Sequence, residues 1–235
     1  MWAALRGRLG AALGVGAGAR AAPLPRGCVA PARAAPSCWS CGGPVPGPAP
    51  DGPRFCPAPA CGALQPPEPR ADFFRLMGCA RAFGLDVSRL RRRFRSLQRA
   101  LHPDYFTRRP QAERDLSQQH SALVNAAYQT LLRPLSRGLY LLELRGVTLA
   151  EGTDDDTDVE FLAEIMDISE RLADPEDEAS LQELESLIAA KQEQLIADVN
   201  QAFERDDLQE AKKLLAKMKY FANLEDKVKS KKIPS

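Results

Sequence analysis

From about residue 70 onward, apolar residues recur at intervals of three and four, the period of an α-helix, and the stripes they form predict an all-α fold. Leu90, Phe94, Leu97 and Leu101 mark one face of a helix that Asp86 is placed to cap. Arg89, Arg92, Arg93, Arg95 and Arg99 occupy the other face, so this helix is a basic rod with one apolar side. Pro103 ends it. Proline has no backbone N–H and forces His102 out of helical geometry, so the helix must stop near Leu101. A second helix is expected from Pro110, suited to a first helical position, to Leu132, with Leu116, Leu123, Ala127 and Leu131 inward. Two antiparallel helices thus meet at a polar loop, braced by a short apolar turn over Asp72 to Gly78.

Beyond Gly146 a polar, acidic linker over 147–157 leads to three further helical patterns over 158–235. Thr157-Asp158-Val159-Glu160 has the spacing of a capping box, followed by Phe161, Ile165, Ile168 and Leu172 on one stripe. Asp174-Pro175-Glu176-Asp177 reads as the start of the next helix, whose stripe is Leu181, Leu184, Ile188, Leu195, Val199 and Phe203. From Pro175 to Glu204 it would span about 45 Å at ~1.5 Å per residue. The last helix begins near Asp207 with Leu208, Ala211, Leu215, Met218, Leu224 and Val228 inward. None of these stands alone, so an antiparallel three-helix bundle is the expected arrangement. Leu162 and Met166 fall off the main stripe beside Asp167 and Glu170, and the adjacent Tyr220 and Phe221 cannot both face one core. That leaves an apolar patch rimmed by carboxylates as a candidate binding surface.

Composition adds organisation. With 235 residues and 44% hydrophobic content there is material for two modest domains and an unfolded leader. The net charge of +1 hides a segregation: residues 1–50 carry five arginines and no acid, whereas residues 151–185 carry fifteen acidic residues and one base, Arg171. Separate faces therefore imply separate partners, and wholesale nucleic-acid binding is disfavoured. Residues 1–35, rich in Ala, Gly and Arg and free of acid, fit a mitochondrial transit peptide, although serine is absent before Ser37. Leu9 to Ala19 could pass for the apolar region of a secretory signal, but it is weakly hydrophobic and falls far short of the roughly 20 apolar residues of a membrane span.

Two features carry candidate chemistry. Over 36–66, Cys38 and Cys41 form one close pair and Cys56 and Cys61 another, each followed by glycine in a proline-rich segment too small to fold on hydrophobic burial. Four thiolates in two pairs suit a structural zinc ion, for which ligation would supply most of the order. Paired disulfides, a flexible spacer with idle cysteines and a redox-active Cys38–Cys41 pair are the alternatives. Cys28 falls in the leader, and Cys79 reads as a small buried hydrophobe. The second feature is His102-Pro103-Asp104. One imidazole and one carboxylate with no third polar group nearby are poorly equipped for catalysis and well suited to docking in another protein's cleft. Taken alone, the tripeptide also fits an ordinary helix terminus.

The run Phe73-Phe74-Arg75-Leu76-Met77-Gly78, the basic helix, His102-Pro103-Asp104 and Val124 to Leu131 together resemble a J-domain over residues 72–146. That resemblance implies docking to a DnaK-type mitochondrial heat-shock ATPase through His102, Pro103 and Asp104, with Arg92, Arg93, Arg95 and Arg99 guiding the encounter electrostatically. Zinc-type cysteines, J-domain and acidic bundle in one chain are similar to the HscB family of iron-sulfur cluster co-chaperones. By that resemblance the bundle binds the cluster scaffold protein through Leu162, Met166, Asp167, Glu170 and Tyr220, delivers it to the chaperone and promotes transfer to recipient iron-sulfur proteins. The implied protein is not an enzyme; zinc is its cofactor, held by Cys38, Cys41, Cys56 and Cys61, and neither nucleic acid nor membrane is a partner. Two departures stand out: Ala163 is smaller than the residue usual there, and four residues separate Cys56 from Cys61 where the family has two. Three rival functions predict different behaviour. A general co-chaperone would bind unfolded clients, a thiol oxidoreductase would depend on Cys38 and Cys41, and a nucleic-acid binder would need aromatic residues interleaved with the arginines, which are missing.

Overall fold

The computed structural model describes residues 37–46, 55–68, 70–147, 158–175 and 177–232. The leader expected over 1–35 and the linker after Val147 lie outside the described residues. Among the described residues seven α-helices follow one another, and the only extended pairing is two isolated bridges, Ser37 with Pro44 and Phe55 with Leu64. The fold class is the one the apolar spacing predicts.

The short helix α1 (Phe73–Leu76) is capped by Asp72, whose carboxylate accepts from the Phe74 N–H, and its Phe73 ring stacks on Tyr140 at 4.7 Å. Helix α2 (Val87–Leu101) begins where Asp86 accepts the Arg89 N–H and ends at His102, already extended at φ −60° and ψ 129°. The next residue is Pro103, which opens a 3-10 turn (Pro103–Phe106). Phe106 plugs that turn into the core. Helix α3 (Gln111–Leu132) runs back along α2, with Phe94 stacked on Tyr128 at 4.0 Å.

The face that α3 buries is rotated from the expected one. Its inward residues are Glu113, Ser117, His120, Val124, Ala127 and Leu131, while Leu116 and Leu123 are only partly covered. The offsets are still four and three. The reason is that α3's first half meets polar partners: Ser117 donates its hydroxyl to the Leu101 carbonyl at 2.7 Å, and His120 bonds the Gln65 carbonyl at 2.8 Å. A separate helix α4 (Pro134–Leu144), with proline in its first turn, follows a break at Arg133 that apolar spacing does not reveal.

The bundle consists of α5 (Val159–Ala173), α6 (Glu178–Glu204) and α7 (Leu208–Lys232). Helix α5 buries the expected stripe of Phe161, Ile165, Ile168 and Leu172. Helix α6 starts three residues later than the Asp174-Pro175 signal suggests. Asp174 ends α5, and Asp177 caps α6 by accepting from Ser180 N–H and hydroxyl. Within α6 the inward residue near the end is Ala202, with Phe203 partly covered.

One apolar core runs from Leu64 through the hairpin to Val228, so hairpin and bundle share an interior. At the seam Phe83 stacks on Phe203 at 5.6 Å, and the buried Arg137 guanidinium lies 5.1 Å from the Phe83 ring centre. The tightest approach is at Gly138, where a Cβ would fall 2.5 Å from Leu215 Cδ2.

Candidate functional site

The corner after α2 presents its polar groups outward. His102 and Asp104 side chains are 49% and 83% exposed, and Tyr105 is 69% exposed beside them. His102 Nδ1 accepts the Asp104 N–H at 3.3 Å and lies 3.5 Å from Asp104 Oδ2. With Nδ1 accepting, the neutral ring carries its proton on Nε2, which leaves a donor free for a partner. The Tyr105 ring stands edge-on to the His102 imidazole at 6.2 Å, so imidazole, carboxylate and phenol share one outward face.

Of the arginines expected on the outer face of α2, Arg92, Arg95 and Arg99 are exposed. Arg93 is not fully so. It sits three residues after Leu90 and four before Leu97, at the edge of the buried stripe, and its Nε would be 3.9 Å from a Cβ placed on Gly78. It packs over the end of α1, a change from the solvated position the sequence suggested.

The four cysteines converge. Cys38, Cys41, Cys56 and Cys61 bring all four Sγ atoms within 4.8 Å of one another, with Cys38 to Cys61 at 3.8 Å and Cys41 to Cys56 at 3.6 Å. Four sulfurs about a tetrahedral ion with bonds of ~2.3 Å would stand about 3.8 Å apart. The donor set therefore fits a metal ion, and with four thiolates it closes the coordination shell. Each pair sits on a knuckle. In the first, Cys38 N–H bonds the Gly43 carbonyl and Gly42 N–H the Cys38 carbonyl, with Gly42 at φ +72°. In the second, the longer gap is absorbed by a turn in which Cys61 and Gly62 N–H groups both reach the Ala58 carbonyl, with Gly62 at φ +57°. The extra residues therefore do not keep the second pair from the centre.

Two of these thiols are driven apart in acidity. Burial pushes Cys38 up, but N–H groups of Cys41 and Ser40, the Gln65 amide and the Cys56 thiol outweigh it and bring it down to about 6. The Ala58 N–H pulls Cys56 down, but burial and its three thiol neighbours push it up to about 12. A thiolate at Cys38 is the form a cation requires. Cys79 stands apart, its thiol donating to the Met77 carbonyl and raised by burial.

On the bundle, Leu162 is 37% and Met166 62% exposed, one turn apart on α5. Phe221 points into the core at 2% exposure, which turns Tyr220 to the edge, where its ring meets Phe161 edge-on at 5.6 Å. Asp167, paired with Arg171 at 3.7 Å, and Glu170 are exposed along the same helix, as is Ala163. Val159, 80% exposed, extends this apolar line to the start of α5 and was missed in the sequence, although it precedes Leu162 by three and Met166 by seven.

Comparison with known proteins gives consistent results. The family described as HSCB C-terminal oligomerisation domain matches residues 157–229. The human iron-sulfur cluster co-chaperone protein HscB is 50% identical over 240 residues, covering all of both chains. The crystal structure of the human co-chaperone HscB is similar with a TM-score of 0.78 and 52% identity, covering 85% of this chain and all of that one. Chaperone HscB from Vibrio cholerae aligns with a TM-score of 0.61 and 32% identity over 68% of this chain and 96% of its own.

Proposed function

The chain belongs to the HscB family of iron-sulfur cluster co-chaperones, and from that premise we propose that it is a mitochondrial adaptor joining a cluster scaffold protein to a DnaK-type ATPase. His102, Pro103 and Asp104 dock in the ATPase and stimulate hydrolysis, while Arg92, Arg95 and Arg99 speed the encounter and make it salt-sensitive. Arg93 contributes from the edge of this face. Leu162, Met166, Asp167, Glu170 and Tyr220 take the folded scaffold, with the two apolar side chains as the buried centre and the carboxylates as a polar rim. Cys38, Cys41, Cys56 and Cys61 hold zinc, which supplies a fixed tetrahedral node and no reaction. The arginine-rich, acid-free leader supports the mitochondrial address.

The observation that supports this reading is that one folded unit exposes two unlike surfaces: a polar corner on the hairpin and an apolar, acid-rimmed patch on the bundle. Turnover of ATP by the mitochondrial chaperone, measured with scaffold and this protein singly and together, tests it. Joint stimulation is expected to exceed either alone, and His102→Gln should abolish it while melting temperature and scaffold binding stay as they were. A His102→Gln protein that stimulates normally, or equal stimulation with a reduced unfolded client in place of the scaffold, would remove the basis for the proposal.

A further inference from the structure

A line of buried polar groups leads from the four-cysteine centre toward the docking corner. Gln65, 4% exposed, donates from Nε2 to Cys38 Sγ at 3.2 Å and to the Ala63 carbonyl at 2.8 Å. Its backbone carbonyl lies 2.8 Å from Nε2 of His120, also 4% exposed. A carbonyl can only accept, so the imidazole carries its proton on Nε2 and donates. One turn earlier on α3, Ser117 donates to the Leu101 carbonyl at the end of α2. That carbonyl depends on Ser117, because the N–H that would reach it in a continued helix belongs to Tyr105 and bonds His102 instead. The adjacent Leu64, fully buried, anchors the same segment in the main core, and the Trp39 indole N–H donates to its carbonyl at 2.7 Å.

We propose that Gln65 and His120 are positioning residues that make the order of the His102-Pro103-Asp104 corner depend on metal in the four-cysteine centre. The knuckles' own core is Cys38, Val45, Cys56 and Ala63, too little apolar material to hold two loops together without ligation. Loss of the ion frees Cys38 and with it Gln65. A buried His120 N–H that loses its acceptor is costly to leave unsatisfied, so the first half of α3 shifts or opens. Ser117 moves with it, and the carbonyl end of α2, from which the corner springs, loses its fixed partner. Metal occupancy among Cys38, Cys41, Cys56 and Cys61 thereby sets how well ordered the ATPase-docking corner at residues 102–104 is, a consequence that rests on the docking role proposed above.

Amide hydrogen exchange of the full-length protein, zinc-loaded and after chelation, tests this without the ATPase. On chelation the His102 and Tyr105 amides are expected to exchange at least about tenfold faster. In His120→Leu they should already be fast with zinc bound and change less than about twofold on chelation, whereas His120→Gln, which keeps a donor at similar reach, should behave as the parent does. If His120→Leu does not fold, Gln65→Met serves: zinc affinity should fall roughly tenfold, and the exchange rise should appear at correspondingly higher free zinc. Faster exchange confined to residues 37–65, or a His120→Leu protein that responds to chelation like the parent, would overturn the proposal. Such a result would leave the docking role untouched, and a failure of ATPase stimulation by the zinc-loaded parent would strike only that role.

Discussion

Two of the few polar side chains buried in the hairpin do one job. Ser117 reaches the Leu101 carbonyl at the end of α2, and Arg137 Nη1 reaches the Leu131 carbonyl at the end of α3 at 3.0 Å. Each is an orphan left where a helix stops and a proline-led element begins, because the N–H four residues on, that of Tyr105 or Leu135, has left the helical path. The cost of burying a serine hydroxyl is thus offset by the carbonyl it satisfies. Ser117→Ala removes one partner and leaves a buried acceptor unpaired, so unfolding by denaturant should show a loss of about 1–3 kcal/mol. A loss below about 0.5 kcal/mol would mean that another donor takes over at Leu101.

Among elements, the seam between α4 and α7 sets propensity against packing. Gly138 lies within a helix, where alanine is favoured by roughly 1 kcal/mol, so on propensity alone Gly138→Ala should stabilise. Its Cβ, however, would sit 2.5 Å from Leu215 Cδ2 and 3.0 Å from Cδ1, and Leu215 is fully buried. Packing should win: Gly138→Ala is expected to lower stability by about 1–3 kcal/mol in chemical denaturation, and a gain would show that Leu215 has a second rotamer open to it. Such close approaches are also where the sequence was least legible. The stripes of α2 and α5 could be read because each packs an apolar face on an apolar neighbour. The first half of α3 could not, because Glu113, Ser117 and His120 continue the Val124, Ala127 and Leu131 stripe at the right offsets but as polar residues, of which Ser117 meets the end of α2 and His120 the segment that follows the cysteine knuckle. Asp174 misled for a related reason: Asp174 and Asp177 both suit a cap, and only the α5 chain end decides which one is used. The convergence of the cysteines was legible from two close pairs, whereas Gln65, which ties them to α3, has no motif of its own.

For the whole molecule, the decisive property is that corner and patch belong to one chain whose hairpin and bundle share a core. An adaptor acts by raising the concentration of its cargo at the machine, and that gain exists only if both sites sit on the same molecule. Leu162→Ala with Met166→Ala should weaken scaffold affinity by about 2–4 kcal/mol in a calorimetric titration, because both side chains are exposed in the free protein and would be buried against the partner. Stability should hardly change, since neither supports the core. A mixture of this double variant with His102→Gln then contains every functional surface, but never two on one chain. If tethering is the mechanism, the mixture restores none of the scaffold-dependent ATP turnover at any ratio. Recovery to near the parent's rate would mean that the two surfaces work independently, and that the shared core between hairpin and bundle serves stability alone.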